Sequence, residues 1–308
     1  MDLLTLDTWS TDDILSTVEE GLAIKDQPDR YAEMLQGKTL AMLFQKTSTR
    51  TRVSFEVGMH QLGGQAVFLD WSTTNFGLAD LADEAQVLSR YADVIMARML
   101  RHDDLRQLTS GSEVPVINGC CDRYHPCQAL GDLLTMLEVR GNFKGTHVVY
   151  VGVRNNVCNS LIEACTKAGV RITAVTPEVN GPAEDQALIA RAYATGLFAE
   201  TLDLEAAVAD ADFIYTDTWI DMEFFNNPEF EDEKNRRIKA FQPYQINAEL
   251  LTKTKALAMH CLPAHKGYEI TGDVMASNRC IAVDQAENRM HIQKAILMRM
   301  VGPEKIIL

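Results

Sequence analysis

The segment Phe44-Gln45-Lys46-Thr47-Ser48-Thr49-Arg50-Thr51-Arg52 puts hydroxyls and cations where an apolar run ends and helix-forming residues begin. A helix N-terminus offers unpaired N–H groups and the positive end of a dipole. Ser48, Thr49, Thr51 and the Arg50 guanidinium gathered there make an anion site, and arginine can hold phosphate oxygens in a two-pronged grip. The same residues would also suit an ordinary hydroxyl-capped helix with surface arginines. The segment holds no glycine, so it is neither a P-loop nor a dinucleotide fingerprint.

Three further groups carry chemistry. Arg98 closes the apolar run Val94–Met99, where a basic side chain can overhang the carboxyl edge of a parallel sheet; alone, it would equally suit a surface ion pair. His125-Pro126-Cys127-Gln128 opens a helix, with His125 and Gln128 three apart on one face; the histidine can donate to a carbonyl oxygen and the amide can read an NH₂ group. His260-Cys261-Leu262-Pro263 follows another short strand, and Glu287-Asn288-Arg289 can bring a further guanidinium into an interdomain cleft. Cys261 is either a nucleophile, for which no sequence-local base is evident, or a soft polar wall beside a substrate.

The elements that position these groups alternate β then α. Strand-like runs occur at Thr39–Phe44, Ala66–Leu69, Val94–Met99 and Val114–Ile117, then at Val148–Val151, Arg171–Val175, Phe213–Thr216, Leu257–Met259 and Ile281–Val283. Short apolar runs of this kind mark strands buried on both faces, and their alternation with helices implies two doubly wound α/β domains with parallel sheets flanked by helices. Ser10-Thr11-Asp12-Asp13 starts the first helix, and Gly63-Gly64 stops a second that begins near Arg50. The pattern breaks at Gly141-Asn142-Phe143-Lys144-Gly145, which predicts domains at 1–140 and 141–284. A last helix from Gln285 crosses back so that 285–308 packs on the first domain.

With 308 residues, 46% of them apolar, the chain is long enough for two domains, and no apolar run approaches the roughly 20 residues a membrane span needs. The N-terminal Met1-Asp2-Leu3-Leu4 lacks export features, so a cytoplasmic location is expected. A net charge of −14 argues against nucleic acid or an anionic membrane as partner, and any phosphate must sit in a local positive pocket. Seven cysteines with no Cys-x-x-Cys pair suit reduced thiols, most of them small core residues.

Together, Ser48-Thr49-Arg50-Thr51-Arg52, His125-Pro126-Cys127-Gln128, His260-Cys261-Leu262-Pro263 and Glu287-Asn288-Arg289 resemble, in order and spacing, the aspartate/ornithine carbamoyltransferase family, and most closely its ornithine branch. The resemblance spans essentially the whole chain. It implies that Ser48, Thr49, Arg50 and Thr51 hold the phosphate of carbamoyl phosphate, and that Thr51, Arg98 and His125 polarise its carbonyl oxygen. Gln128 and the Leu262 main-chain carbonyl take its NH₂, with Arg289 in support and Cys261 beside them. It also implies a homotrimer with shared active sites, in which the loop Ser72–Gly77 of a neighbouring chain brings Asn75 to the phosphate. No metal or organic cofactor is needed.

For the amine, the resemblance points to Asn155, Asn156, Asp217, Asp221 and Met222 and to transfer onto the side-chain amine of L-ornithine, giving citrulline and phosphate in arginine metabolism. Two departures matter. Gly152-Val153-Arg154-Asn155-Asn156 has Arg154 where the ornithine branch often has glycine before its asparagine pair, which adds a cation. Asp217-Thr218-Trp219-Ile220-Asp221-Met222-Glu223 has Asp221 where that branch has serine. These leave open another amine, such as putrescine or a modified diamino acid. A non-catalytic binding subunit conflicts with the intact phosphate and carbonyl residues. A nicotinamide dehydrogenase conflicts with Gly152 standing without the other fingerprint glycines.

Overall fold

Eight of the apolar runs become strands, and with one short edge strand they make nine parallel strands in two sheets among the described residues. The structure, a computed structural model, describes residues 1–220, 225 and 227–303. The first sheet has the order β2-β1-β3-β4, with β1 Thr39–Phe44, β2 Gln65–Asp70, β3 Val94–Arg98 and β4 Val116–Cys120. The second has the order β7-β6-β5-β8-β9, with β5 His147–Arg154, β6 Arg171–Val179, β7 Phe198–Glu200, β8 Phe213–Thr216 and β9 Leu257–His260. The chain leaves β1 to opposite sides, for β2 and then β3, and does the same at β5 for β6 and then β8. Each sheet therefore has a switch point, where an open parallel sheet binds ligands beyond its carboxyl edge.

Local signals explain the helices that reach those edges. Ser10 and Asp13 form a reciprocal capping box at the start of Thr11–Asp26. Ser48 caps Thr49–Gln61 by accepting from the Thr51 N–H. Pro126 opens Pro126–Arg140, which Gly141 ends in the left-handed conformation, φ +74°. Asn155 caps Asn156–Lys167 by accepting from the N–H groups of Val157 and Cys158. One core cluster runs through both halves, joining Leu130, Leu134 and Ile292 to Leu161 and Cys165. The long helix Ala282–Val301 lies against Thr11–Asp26, Thr49–Gln61 and Pro126–Arg140.

Two expectations need correction. Residues 281–283 are not a strand. Ile281 is the N-cap of Ala282–Val301, and its N–H bonds to the Ala258 carbonyl in a short extended entry that makes only an isolated bridge, Cys280 to Ala258. From there Ala282, Gln285, Asn288, Arg289 and Ile292 are buried at helical spacing. The fourth strand starts two residues and ends three residues later than Val114–Ile117, with buried Asn118 donating to the Leu4 carbonyl and accepting the Cys120 N–H. The brief edge strand β7 carries no apolar run to announce it. Among the described residues no helix is long and apolar enough to cross a membrane.

The N-terminal segment straps the two halves. The N–H of Leu3 bonds to Val116 on the first sheet, while Leu6 donates to buried Glu163 and the Lys167 ammonium donates to the carbonyls of Leu6, Asp7 and Trp9 on the other side. Burial pushes the Glu163 carboxyl up to about 7, outweighing its bond from Leu6. A carboxyl raised in the fold binds a proton that the unfolded chain has already released, so its contribution is fully present below its ordinary value near 4.5 and is lost as pH rises through about 7. Denaturant unfolding at pH 5 and pH 8 should show the native chain losing about 2.5 kcal/mol more than Glu163→Gln over that interval. Parallel pH slopes would mean that Glu163 ionises as it does in water.

Candidate functional site

Every strand named above for its chemistry ends on one cavity of about 540 Å³ between the two sheets. After β1 come Lys46, Ser48, Arg50 and Thr51; after β3, Arg98 and Arg101; after β4, Asp122, His125 and Gln128. The second sheet supplies Asn155 and Asn156 after β5, Asp217 and Thr218 after β8, and Cys261 and Leu262 after β9. Arg289 enters from Ala282–Val301. Both sheets carry an irregularity at this edge. β3 and β4 slip register around Gly119, and β5 and β6 around Gly152, which has φ +139°. Bulges of this kind re-aim the chain beside a site.

The wall from the first half is cationic. Arg50, Arg98 and Arg289 each have a buried Nε with no hydrogen-bond partner. Arg289, 5% exposed, donates from Nη1 to Gln128 Oε1 at 2.9 Å and from Nη2 to Thr51 Oγ1 at 2.9 Å. Arg50 donates to the Leu262 carbonyl, and Arg98 lies 3.5 Å from the Gly119 carbonyl. Among the described residues none of the three is in an ion pair with a carboxylate. Burial lowers Arg50 and Arg289, yet a guanidinium stays charged in proteins. His125 is buried, with its main-chain N–H on Ser160 Oγ at 2.8 Å and its Nδ1 unpartnered. Desolvation first, then Arg289, Arg98, Lys46 and Arg50, push it well below the usual histidine range, so it is a neutral imidazole at physiological pH. A neutral ring among fixed cations serves as a hydrogen-bonding group and not as a further charge.

The opposite wall is polar and acidic. Asn155 Oδ1 is used by its helix cap and its Nδ2 donates to Asp217 Oδ2 at 2.7 Å, so this amide holds the carboxylate in place. Asn156 donates to the Cys121 carbonyl. Cys261 donates its S–H to Asp217 Oδ1 at 2.9 Å. Leu262 has φ +59°, a backbone conformation that disfavours a branched side chain, and its N–H is fixed by His260 Nδ1 at 2.8 Å. Asp217, His260 and Cys261 bring ligand-type atoms close together, but Asp217 and Cys261 are already bonded to each other, and the His260 ring bonds Leu262 and faces Glu269.

Not every residue singled out in the sequence lines this cavity of its own chain. Thr49 is exposed and faces a neighbouring cavity lined by Phe44, Arg52 and Phe68. Asn75 is exposed, outside the cavity of its own chain. Arg154 does not add a cation to the site: it pairs with Glu200 at 2.9 Å, and Tyr193 donates to the other Glu200 oxygen. Asp221 and Met222 lie outside the described residues. Lys46, Arg101, Asp122 and Thr218 went unassigned in the sequence. Each follows a strand end by a few residues, so the carboxyl-edge rule applied to every strand would have found them.

The same geometry bears on Cys261 as a nucleophile. Desolvation and Asp217 raise its pKa well above that of a free thiol, so it stays protonated. Cys280 alone among the seven cysteines is more than marginally exposed. Iodoacetamide at pH 8 should label Cys280 first and spare Cys261 in the native protein, as read by peptide mass. Labelling of Cys261 at a rate matching Cys280 would show a thiolate there.

This arrangement has close relatives. Residues 1–138 match the family pattern described as the carbamoyl-P binding domain of aspartate/ornithine carbamoyltransferase, and residues 144–300 match its Asp/Orn binding domain. An ornithine carbamoyltransferase from Haloquadratum walsbyi is 44% identical over 301 residues, covering 97% of each chain. The solved ornithine carbamoyltransferase from Pyrococcus furiosus superposes with a TM-score of 0.90 at 43% identity, over 99% of this chain and 97% of that one. A solved N-acetyl-L-ornithine transcarbamylase superposes with a TM-score of 0.85 at 30% identity, over 98% of this chain and all of the other. Matches to both domains and identity well above 30% across nearly the full length leave one conclusion: the chain belongs to the aspartate/ornithine carbamoyltransferase family.

Proposed function

We propose that the protein transfers the carbamoyl group of carbamoyl phosphate to the side-chain amine of L-ornithine, yielding L-citrulline and phosphate. The observation that carries this reading is the cavity's polarity: three guanidinium groups with unpartnered buried N–H donors on one wall, and Asp217, held by Asn155, on the other. An anionic donor and a cationic amino acid are the pair that such walls accept.

The phosphate lies at the N-terminus of Thr49–Gln61, against Ser48, Arg50, Thr51 and Arg98, where main-chain N–H groups and guanidiniums share its charge. Thr49 and the Asn75 loop of a neighbouring chain complete this end, in a homotrimer of the 34.3 kDa chain. The carbonyl oxygen faces Thr51, Arg98 and neutral His125; the NH₂ faces Gln128 Oε1 and the Leu262 carbonyl. Arg289 fixes both Gln128 and Thr51. Asn156, Asp217, Asp221 and Met222 receive the amino acid, with Asp217 on its α-ammonium. The setting is cytoplasmic arginine metabolism.

A free alkylammonium near pKa 10.4 is only about one part in a thousand neutral at pH 7.4. Desolvation and the nearby guanidiniums of Arg50 and Arg98 favour the neutral amine. Its lone pair forms the new C–N bond, the carbonyl oxygen gains negative charge, and donors already placed there stabilise it without reorganising. The C–O bond to phosphate then breaks, and the departing phosphate takes the amine proton. Removing one such donor costs roughly 10²–10³ in rate at comparable sites.

A phosphate-release assay with ornithine, N-acetylornithine, lysine and putrescine should give ornithine the highest kcat/KM, and Arg50→Ala should lower it by about 10²–10³. Equal turnover of another amine would replace ornithine as the acceptor, and Arg50→Ala with native activity would remove the phosphate assignment. Sedimentation should give three times the chain mass.

A further inference from the structure

The two acceptors for the carbamoyl NH₂ come from different halves of the molecule, and one buried carboxylate joins them. Asp132 is one helical turn beyond Gln128 on Pro126–Arg140 and is fully buried. Its Oδ1 accepts from Gln128 Nε2 at 2.8 Å and from Gln285 Nε2 at 2.7 Å. Gln285 passes the connection across the cleft, because it accepts the His260 N–H at 2.8 Å and His260 Nδ1 in turn accepts the Leu262 N–H.

A primary amide has a donating end and an accepting end, so fixing one decides the other. Asp132 takes the NH₂ end of Gln128, which turns Oε1 toward Arg289 and the cavity. Flipping the amide would set oxygen against the Asp132 oxygen and N–H against the Arg289 N–H. Both contacts would be repulsive, and in a buried site each is expensive. Asp132 keeps this role in either protonation state. Burial pushes it up to about 7 against the bonds from Gln128, Gln285 and Tyr215, and a proton on Oδ2 leaves Oδ1 free to accept.

We propose that Asp132 is a positioning residue that aims Gln128 and, through Gln285, seats the His260–Leu262 main chain, so that the site selects a carbamoyl NH₂ over a methyl group of the same size. This rests on the carbamoyl-transfer reading. Acetyl phosphate is the discriminating ligand, since it keeps the phosphate and the carbonyl and replaces the NH₂ by CH₃. A site built to accept N–H donors rejects an analogue lacking them, because its own carbonyls are left unpaired.

The test compares dissociation constants of carbamoyl phosphate, acetyl phosphate and inorganic phosphate in the full-length native protein and in Asp132→Leu, Asp132→Asn and Gln285→Met. In the native protein carbamoyl phosphate should bind more tightly than acetyl phosphate. Asp132→Leu should narrow that ratio by about tenfold or more while inorganic phosphate changes less than about threefold, and Asp132→Asn, which keeps the accepting oxygen, should restore it. If Asp132→Leu does not fold, Gln285→Met carries the test with a smaller narrowing in the same direction. An unchanged ratio in the variant that folds would overturn the proposal. So would equal losses for all three ligands, a ratio that collapses as far in Asp132→Asn as in Asp132→Leu, or a native protein with no preference between the two acyl phosphates. Absence of turnover with ornithine, by contrast, would strike the functional reading and leave this binding comparison standing.

Discussion

Three guanidinium groups with buried Nε atoms, those of Arg50, Arg98 and Arg289, share one cleft in a protein of net charge −14, and none is neutralised by a directly paired carboxylate among the described residues. Their mutual repulsion is what the surrounding structure must hold. Arg289 is tied to Gln128 and Thr51, Arg50 to the Leu262 carbonyl, and Arg98 lies beside the Gly119 carbonyl, all neutral acceptors. Neutral acceptors satisfy individual N–H groups without cancelling the charge. The positive potential therefore stays available for an anion, while the acidic remainder of the surface favours a cationic second substrate. Burial first, and the same field after it, keep His125 neutral and make it a fixed hydrogen-bonding group.

The fold supplies that convergence through topology. Both sheets point their carboxyl edges at the same cavity, and Ala282–Val301 crosses from the second half to pack on three helices of the first, carrying Gln285 and Arg289 between them. A residue on this helix can thus touch groups from both halves. Gln285 does so with Asp132 and His260, and Arg289 sits in the same seam. The N-terminal strap through Glu163 and Lys167 ties the halves on another face. Substrate recognition and domain contact therefore use overlapping sets of hydrogen bonds.

Much of this was legible in the sequence, for physical reasons that can be named. Ser48, Pro126, Gly141 and the Asn155-Asn156 pair are helix-boundary residues, and boundaries at strand ends are where an open parallel sheet binds ligands. Runs such as Thr39–Phe44 and Phe213–Thr216 announce strands because both faces are buried. Less legible were contacts set by distance in space. Arg154 reads as an added cation until Glu200, 46 residues away, is seen to take it. Cys261 reads as a possible nucleophile until its S–H is found on Asp217. Ile281 reads as a strand because a β-branched residue beside another apolar pair has no local way to reveal the helix that begins after it. Asp132 gave no signal at all, since a single acid inside an apolar helix has no spacing pattern to betray it.

Whether the unpartnered guanidinium donors bind the carbamoyl donor is decided by a crystal structure of the protein with carbamoyl phosphate. Phosphate oxygens should lie at the N-terminus of Thr49–Gln61 within about 3 Å of Arg50 and Arg98 nitrogens. The ligand's carbonyl oxygen should face His125. Density for the ligand elsewhere, or a saturating soak that leaves Arg50 on the Leu262 carbonyl and the cleft without it, would show that these donors serve another purpose.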